Sequence, residues 1–233
     1  MIASLTPDEL DALSVSLRVA GLAVAGALPV AIVIGAALAR PRLPGRILLD
    51  ALANFPLVMP PVVVGFVLLA LFGVQGPIGA WLEATFGIRL VFTTAGAALA
   101  AGVMALPVMI RAVRQGFEMV DPGLMVAARS LGAGPLDRFA TIALPLVAPA
   151  IVAAGISGFA VCLGAFGAVI TFAASVPGET RTLPLALYAA LQAPDGEAAA
   201  WRLAGLSMAL AVAALLAANA LNALALRRAG RTP

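Results

Sequence analysis

Apolar positions along this chain gather into long runs, and charged positions mark the gaps between them. Five stretches carry no charge at all: Val19–Ala39 (21 residues), Ala51–Leu82 (32), Leu90–Ile110 (21), Phe139–Gly178 (40) and Leu203–Leu226 (24). A helix that crosses the hydrocarbon layer needs about 20 consecutive apolar residues, so each run is long enough. The pattern predicts an all-α bundle of five crossings, at approximately 14–38, 47–72, 92–112, 143–172 and 202–226, in one transmembrane domain spanning 1–233. The next longest run, Thr182–Pro194 at 13 residues, predicts an interfacial helix or loop.

The 40-residue run could hold two crossings, and the arginines decide against it. With five crossings, one side receives Arg40, Arg42, Arg46, Arg111, Arg114, Arg129, Arg138, Arg227, Arg228 and Arg231, while the other receives Arg18, Arg89, Arg181 and Arg202. Ten against four satisfies the positive-inside rule; a sixth crossing would carry the basic tail outside. The expected topology therefore has its N-terminus outside and its C-terminus in the cytoplasm. The leader Met1 to Ser14 holds Asp8, Glu9 and Asp11 and no basic residue. That is unlike the positive start of a signal peptide, so the first segment is expected to stay in place.

Composition agrees and narrows the chemistry. Hydrophobic residues make up 63% and charged residues 11%, with a mean hydropathy of +1.09, whereas soluble domains carry about 25% charge. This is an integral membrane protein. There is no histidine, and all 14 basic residues are arginine. A P-loop needs a lysine at the phosphates, so the chain carries no such ATP site. Histidine-based zinc sites and Ser-His-Asp triads are excluded as well. The single cysteine, Cys162, permits neither an internal disulfide nor a metal cluster. The chain reads as a conduit helped by other proteins, with no catalytic residue, no metal site and no nucleic-acid partner.

Prolines punctuate the crossings: Pro29 in the first, Pro56, Pro60 and Pro61 in the second, Pro107 in the third and Pro149 in the fourth. Each removes a backbone donor, which lipid permits only where neighbours satisfy the freed carbonyls. Two readings stand at 56–61: a pathway or hinge near Pro60-Pro61, or the ordinary abundance of proline in membrane helices. Arg18 and Asp50 are expected to snorkel to an interface, and Asn54, Asn219 and Asn222 to hydrogen-bond between helices. No acidic or histidine relay of a proton-coupled pump is present.

The stretch Arg111–Thr141 is far longer than the usual connection of about four to six residues. Asp121 suits an N-cap, Pro122 a first helical turn and Gly132 a C′ position, which predicts a short helix over Pro122–Leu131. A second segment, Leu136–Leu144, runs into Pro145. Such a helix could dock into another protein through Leu124, Met125 and Leu131, with Arg129 at the rim and Ala128 on the buried face. It could equally lie on the lipid surface.

Here the sequence becomes recognisable. Ala127-Ala128, Gly132, Ile142, Leu144 and Pro145 stand in the spacing A-A-x-x-x-G-x9-I-x-L-P. This resembles the EAA loop of ABC-importer permeases, whose helix docks on the ATPase subunit; the departure is Val126 in place of the glutamate. Further segments, Phe55–Gly65, Ala128–Gly134 and Pro177–Pro184, are similar to the molybdate permease family. Around Leu163-Gly164-Ala165-Phe166-Gly167-Ala168, Ala165 stands where that family usually has a second glutamate. The resemblance implies a type I (MetI-like) ABC importer permease, multi-pass in a bacterial inner membrane. It implies a homodimer carrying molybdate, two cytoplasmic ATP-binding subunits that use ATP and Mg, and a periplasmic oxyanion-binding protein. No cofactor is implied for this chain. Asp121, Leu124, Met125, Ala127, Ala128, Arg129, Gly132, Ile142, Leu144 and Pro145 would form the coupling loop. Pro56, Pro60, Pro61, Gly164 and Gly167 are the pathway or hinge candidates. Gly73–Arg89 and Ser175–Arg202 would form the dock for the delivery protein. A sulfate or tungstate permease is the near alternative. A secondary transporter working alone, or a non-transporting scaffold, is the distant one.

Overall fold

The computed structural model describes residues 5–228, all helix and connecting loop. The first four residues and the tail that contains Arg231 lie outside the described residues, as do the side chains of Asn219 and Asn222. Helix α1 (Pro7–Leu38) opens on a capping box: the Thr6 hydroxyl accepts from the Glu9 N–H, and the Glu9 carboxylate accepts from the Thr6 N–H at 2.9 Å. With Asp8 also in the first turn, negative charge sits at the positive end of the helix dipole. The helix therefore starts well ahead of position 14, inside the acidic leader.

The second apolar run forms two helices, α2 (Arg46–Val58) and α3 (Pro61–Phe72), meeting at 112°. Neither Pro60 nor Pro61 has an N–H to continue the ladder, and Met59, preceding a proline, is pushed into extended backbone with ψ 142°. A short helix, α4 (Pro77–Phe86), follows. Helix α5 (Thr94–Glu118) runs past Arg111, and α6 (Pro122–Ser130) is the short loop helix. Helix α7 (Pro135–Leu163) is continuous through a π-helical stretch, Arg138–Ala143. Pro145, without an N–H and with a ring that crowds the preceding turn, accounts for the widening. The expected segment Leu136–Leu144 is thus the start of α7.

The fourth run holds one long helix and not two. Helix α7 stops at Gly164, and after two residues α8 (Gly167–Ala173) resumes, so the expected crossing at 143–172 is interrupted. Ala174 ends α8 at φ 56° and ψ −158°. The buried Thr180 secures that turn: its hydroxyl lies 3.1 Å from the Ala173 carbonyl and accepts from the Val176 N–H at 2.9 Å. Helices α9 (Leu183–Gln192) and α10 (Glu197–Arg228) complete the described residues.

Helix α5 is the axis of the bundle. It buries alanine, glycine and a few larger residues: Ala97, Ala98, Ala100, Ala101, Gly102, Ala105, Met109, Ile110 and Val113. Small side chains let backbones approach closely, which is how apolar helices gain packing energy without a hydrophobic drive between them. A Cβ on Gly158 of α7 would fall 2.5 Å from the Met109 sulfur, and one on Gly35 of α1 2.9 Å from Val113 Cγ1.

Contacts along α5 give the direction of every neighbour. Ala23 of α1 lies by Gly102 and Gly35 by Val113, so α1 and α5 are parallel. Val147 and Ala150 of α7 lie by Gly116, and the Cys162 thiol lies 3.6 Å from the Ala101 carbonyl, so α7 is antiparallel. At the start of α10, Arg202 Nε donates to Glu9 Oε1 at 2.8 Å, pairing it with the start of α1. The α2–α3 pair also traverses α5, from Glu118 beside Arg46 to a cavity that Phe72 shares with Leu90 and Ala95. A re-entrant loop would return to one end; this pair is a broken span. Odd and even crossings alternate in direction, as five crossings require.

Candidate functional site

Two regions gather the residues singled out by the sequence. The first is a seam between the two broken spans. Pro61 at the start of α3 meets Gly167 at the start of α8: a Cβ on Gly167 would lie 2.8 Å from Pro61 Cβ. One turn on, a Cβ on Gly65 would lie 2.6 Å from the Ala168 carbonyl oxygen. Two helix breaks are therefore pressed together by glycines that only an absent side chain allows. The candidates Pro60, Pro61 and Gly167 converge here. Pro56 lies a turn earlier inside α2, and Gly164 closes α7 just before the break. Ala165 and Phe166 bridge it, half-buried, with the Phe166 ring 5.1 Å from that of Tyr188 on α9.

The second region is the loop helix α6. Asp121 caps it, its Oδ1 accepting from the Gly123 N–H at 2.7 Å. At the other end Gly132 has φ +88°, its N–H donates to the Arg129 carbonyl, and the Ala133 N–H donates to the Ala128 carbonyl, both at 3.0 Å. Those two bonds are a Schellman stop, which a left-handed residue at C′ makes possible. The rings of Phe117 and Phe139 stack at 5.8 Å and clamp the end of α5 to the start of α7, so α6 projects from a closed base.

The inward and outward faces of α6 differ from expectation. Ala128, expected to face a partner, is only 8% exposed within the chain itself, where α6 packs on the π-helical turn. Met125, about one turn earlier on the same side, is half-buried. The exposed face carries Val126 and Ala127, flanked by Leu124 and by Leu131, which is 88% exposed. Arg129 is exposed; Ile142 and Leu144 are half-buried in α7, and Pro145 is exposed at its surface.

Sequence reasoning missed a polar ladder between α2 and α5. Arg114 Nη1 lies 3.2 Å from Asp50 Oδ1, and Arg114 Nε donates to Glu118 at 2.8 Å. Arg46 lies 3.5 Å from Glu118, and Arg111 Nε donates to Asn54 Oδ1 at 2.8 Å. Asp50, expected to snorkel, is instead paired across helices; Asn54 bonds between helices as expected, and Arg18 is exposed. The signal was available: positions 46, 50 and 54 share one helical face, as do 111, 114 and 118.

Among known proteins, the family described as "Binding-protein-dependent transport system inner membrane component" matches residues 28–229. The chain belongs to this family. It is a permease subunit and not the ATPase, an inner-membrane multi-pass component that works with an ATPase and a binding protein, and the family indicates no cofactor site. The molybdenum transport system permease protein ModB of Escherichia coli (strain K12) is 48% identical over 97% of this chain and 99% of its own length. The sulfate transport system permease protein CysT of the same organism is 37% identical over 79% of this chain and 66% of its own length. The fold is similar to that in the crystal structure of an amino acid ABC transporter with histidines, with a TM-score of 0.61 and 19% identity, covering 95% of this chain and 94% of that one.

Proposed function

We propose that this permease carries molybdate into the cell, driven by ATP hydrolysed on a partner subunit. The observation that carries the reading is the 48% identity, over almost the whole of both chains, to a permease whose name specifies molybdenum transport. The lower identity and shorter coverage against the sulfate permease support molybdate over sulfate. In this reading two copies of the chain form the pathway and two ATP-binding subunits sit beneath them. A periplasmic oxyanion-binding protein docks on the end that carries α4, α9 and the Ser175–Thr182 turn. The arginine-rich end, with Arg40, Arg42, Arg129 and Arg138, faces the cytoplasm, which sets the N-terminus outside and the C-terminus inside.

The coupling loop follows from the same reading. Helix α6 offers its Leu124, Val126, Ala127 and Leu131 face to a groove of the ATPase, and Asp121 and Gly132 fix its two ends. Closure of the ATPases on ATP draws the two α6 helices together; the clamped base then moves α5 and α7, and the seam at Pro61 and Gly167 opens or closes the path. The test is uptake of labelled molybdate into proteoliposomes holding permease, ATPase and binding protein. Uptake should require all three and ATP, with tungstate competing strongly and sulfate weakly. Uptake by the permease alone, or driven by a proton gradient, would mean a secondary transporter; stronger competition by sulfate would assign it as a sulfate permease.

A further inference from the structure

Helix α2 is held to the bundle in an unusual way. Of its thirteen residues only Ala53 is buried. Most of its apolar side chains point away from the rest of the chain, Ile47 being 88% and Val58 83% exposed, while Leu49 is half-buried against the core. What faces α5 is the polar row Arg46, Asp50 and Asn54, matched antiparallel by Glu118, Arg114 and Arg111. At its far end α2 is joined to α3 only through Met59 and Pro60, both extended, with ψ 142° and 133°. A short extended link between two rigid helices is the kind of element that absorbs a large dihedral change as a hinge. Below the ladder, α5 ends at Glu118, and α6 begins after three intervening residues.

We propose that this ladder makes α2 travel with α5 as one rigid arm, so that displacement of α6 is delivered through α2 to the hinge at Met59-Pro60 and hence to the α3–α8 seam. The proposal rests on the reading of α6 as the coupling helix. Packing holds α2 only lightly, through the buried Ala53 and the half-buried Leu49. The rungs are directional: Asp50 and Asn54 each face an arginine, Arg46 faces the carboxylate of Glu118, and Glu118 also ties Arg114 along α5. A one-turn slip would bring Arg46 to Arg114, a like-charge contact that disfavours the shifted register. Asp50, Asn54 and Arg114 are thus positioning residues, acting on the path through the angle at Pro60.

Spin labels test the movement directly, in the full complex of permease, ATPase and binding protein. One pair joins α2 to α5 (Leu48→Cys with Gln115→Cys), the other α2 to α3 (Leu48→Cys with Phe66→Cys); all three positions are exposed. Between the nucleotide-free and ATP-bound complex, the α2–α5 distance should stay fixed while the α2–α3 distance shifts. In Asp50→Ala with Arg114→Ala, the α2–α5 distribution should broaden and the ATP hydrolysed per molybdate imported should rise several-fold, with ATPase copurification unchanged. The idea fails if the α2–α5 distance changes as much as the α2–α3 distance, if neither changes, or if the double variant keeps the wild-type ATP-to-substrate ratio. A permease that binds no ATPase would sink both this proposal and the coupling reading, whereas a bound ATPase with the wrong distances sinks the ladder alone. The wild-type distances decide the matter even if the double variant does not assemble.

Discussion

The two ends of α5 hold their neighbours by opposite means. From Ala97 to Val113 the helix is seated by alanines and glycines against α1 and α7, with Gly35 and Gly158 admitting contacts that leave no room for a methyl group. Over its last two turns it grips α2 through arginines, carboxylates and an amide, all half-exposed or exposed. The first kind of contact is steric and has one solution. The second is electrostatic, can re-form, and is weakened by water and salt. A transporter can use both: a body locked by shape, and an arm registered on it by directional pairs, with the joint beyond that arm at Met59-Pro60.

The steric seam is where single substitutions should do most damage. Gly158→Val would drive side-chain atoms into Met109, which is completely buried and cannot turn aside. Overpacking of this kind costs about 1–3 kcal/mol, occasionally more. The purified permease should melt several degrees lower and be recovered in reduced amount. If Gly158→Val melts like the parent, α5 and α7 are not locked at that contact, and the contrast between the two ends of α5 collapses.

What could be read from the sequence follows the same division. Charge-free runs found every crossing, because the bilayer demands length and apolarity that nothing else in the chain imitates. The α6 caps were legible for a similar reason: Asp121, Pro122 and Gly132 answer local backbone needs. The breaks were only half legible. Pro60 and Pro61 announced theirs, whereas the stop at Gly164 in α7 carries no proline, and its partner Gly167 gains meaning only from lying against Pro61. The extra turns of α5 were hidden because counting to the first charge ends a helix too early when Arg114 and Glu118 pair within it. The inward face of α6 was misread, since Ala128 is buried by the π-helical turn of α7, a feature no residue of α6 encodes.

Gly132 comes next in expected effect. A valine there would occupy φ +88°, where side chains are strained by roughly 1–3 kcal/mol. That energy is local, since a Cβ at Gly132 meets nothing within 4 Å. Melting of the bundle should therefore be unchanged while ATPase copurification and ATP-driven uptake fall. Full-yield copurification with normal transport would mean that α6 is not the docking helix and lies instead on lipid.

The faces of α6 allow a sharper test. Ala128→Asp would bury a carboxylate without a partner inside the permease and should loosen α6 from α7, read as faster proteolysis of the 119–134 segment in the permease alone. Leu131→Asp places the same charge on an exposed position and should leave the isolated permease untouched while weakening ATPase binding. Identical behaviour of the two variants in the isolated permease would show that the inward and outward faces have been assigned wrongly.

The smallest effect is expected from a single rung of the ladder. Asp50→Asn keeps the shape, retains a hydrogen-bond acceptor for Arg114 and removes one charge. Half-exposed pairs of this kind contribute roughly 0.2–1 kcal/mol, so the melting temperature should move by little, and by less still in high salt because screening already weakens the parent's rung. Gly158→Val should respond oppositely, its deficit being steric and therefore indifferent to salt. Measuring both variants at low and high ionic strength thus separates the two kinds of contact by response and not by size. A large, salt-independent loss in Asp50→Asn would mean that this rung is held by packing and not by charge, and that the two ends of α5 do not differ in kind.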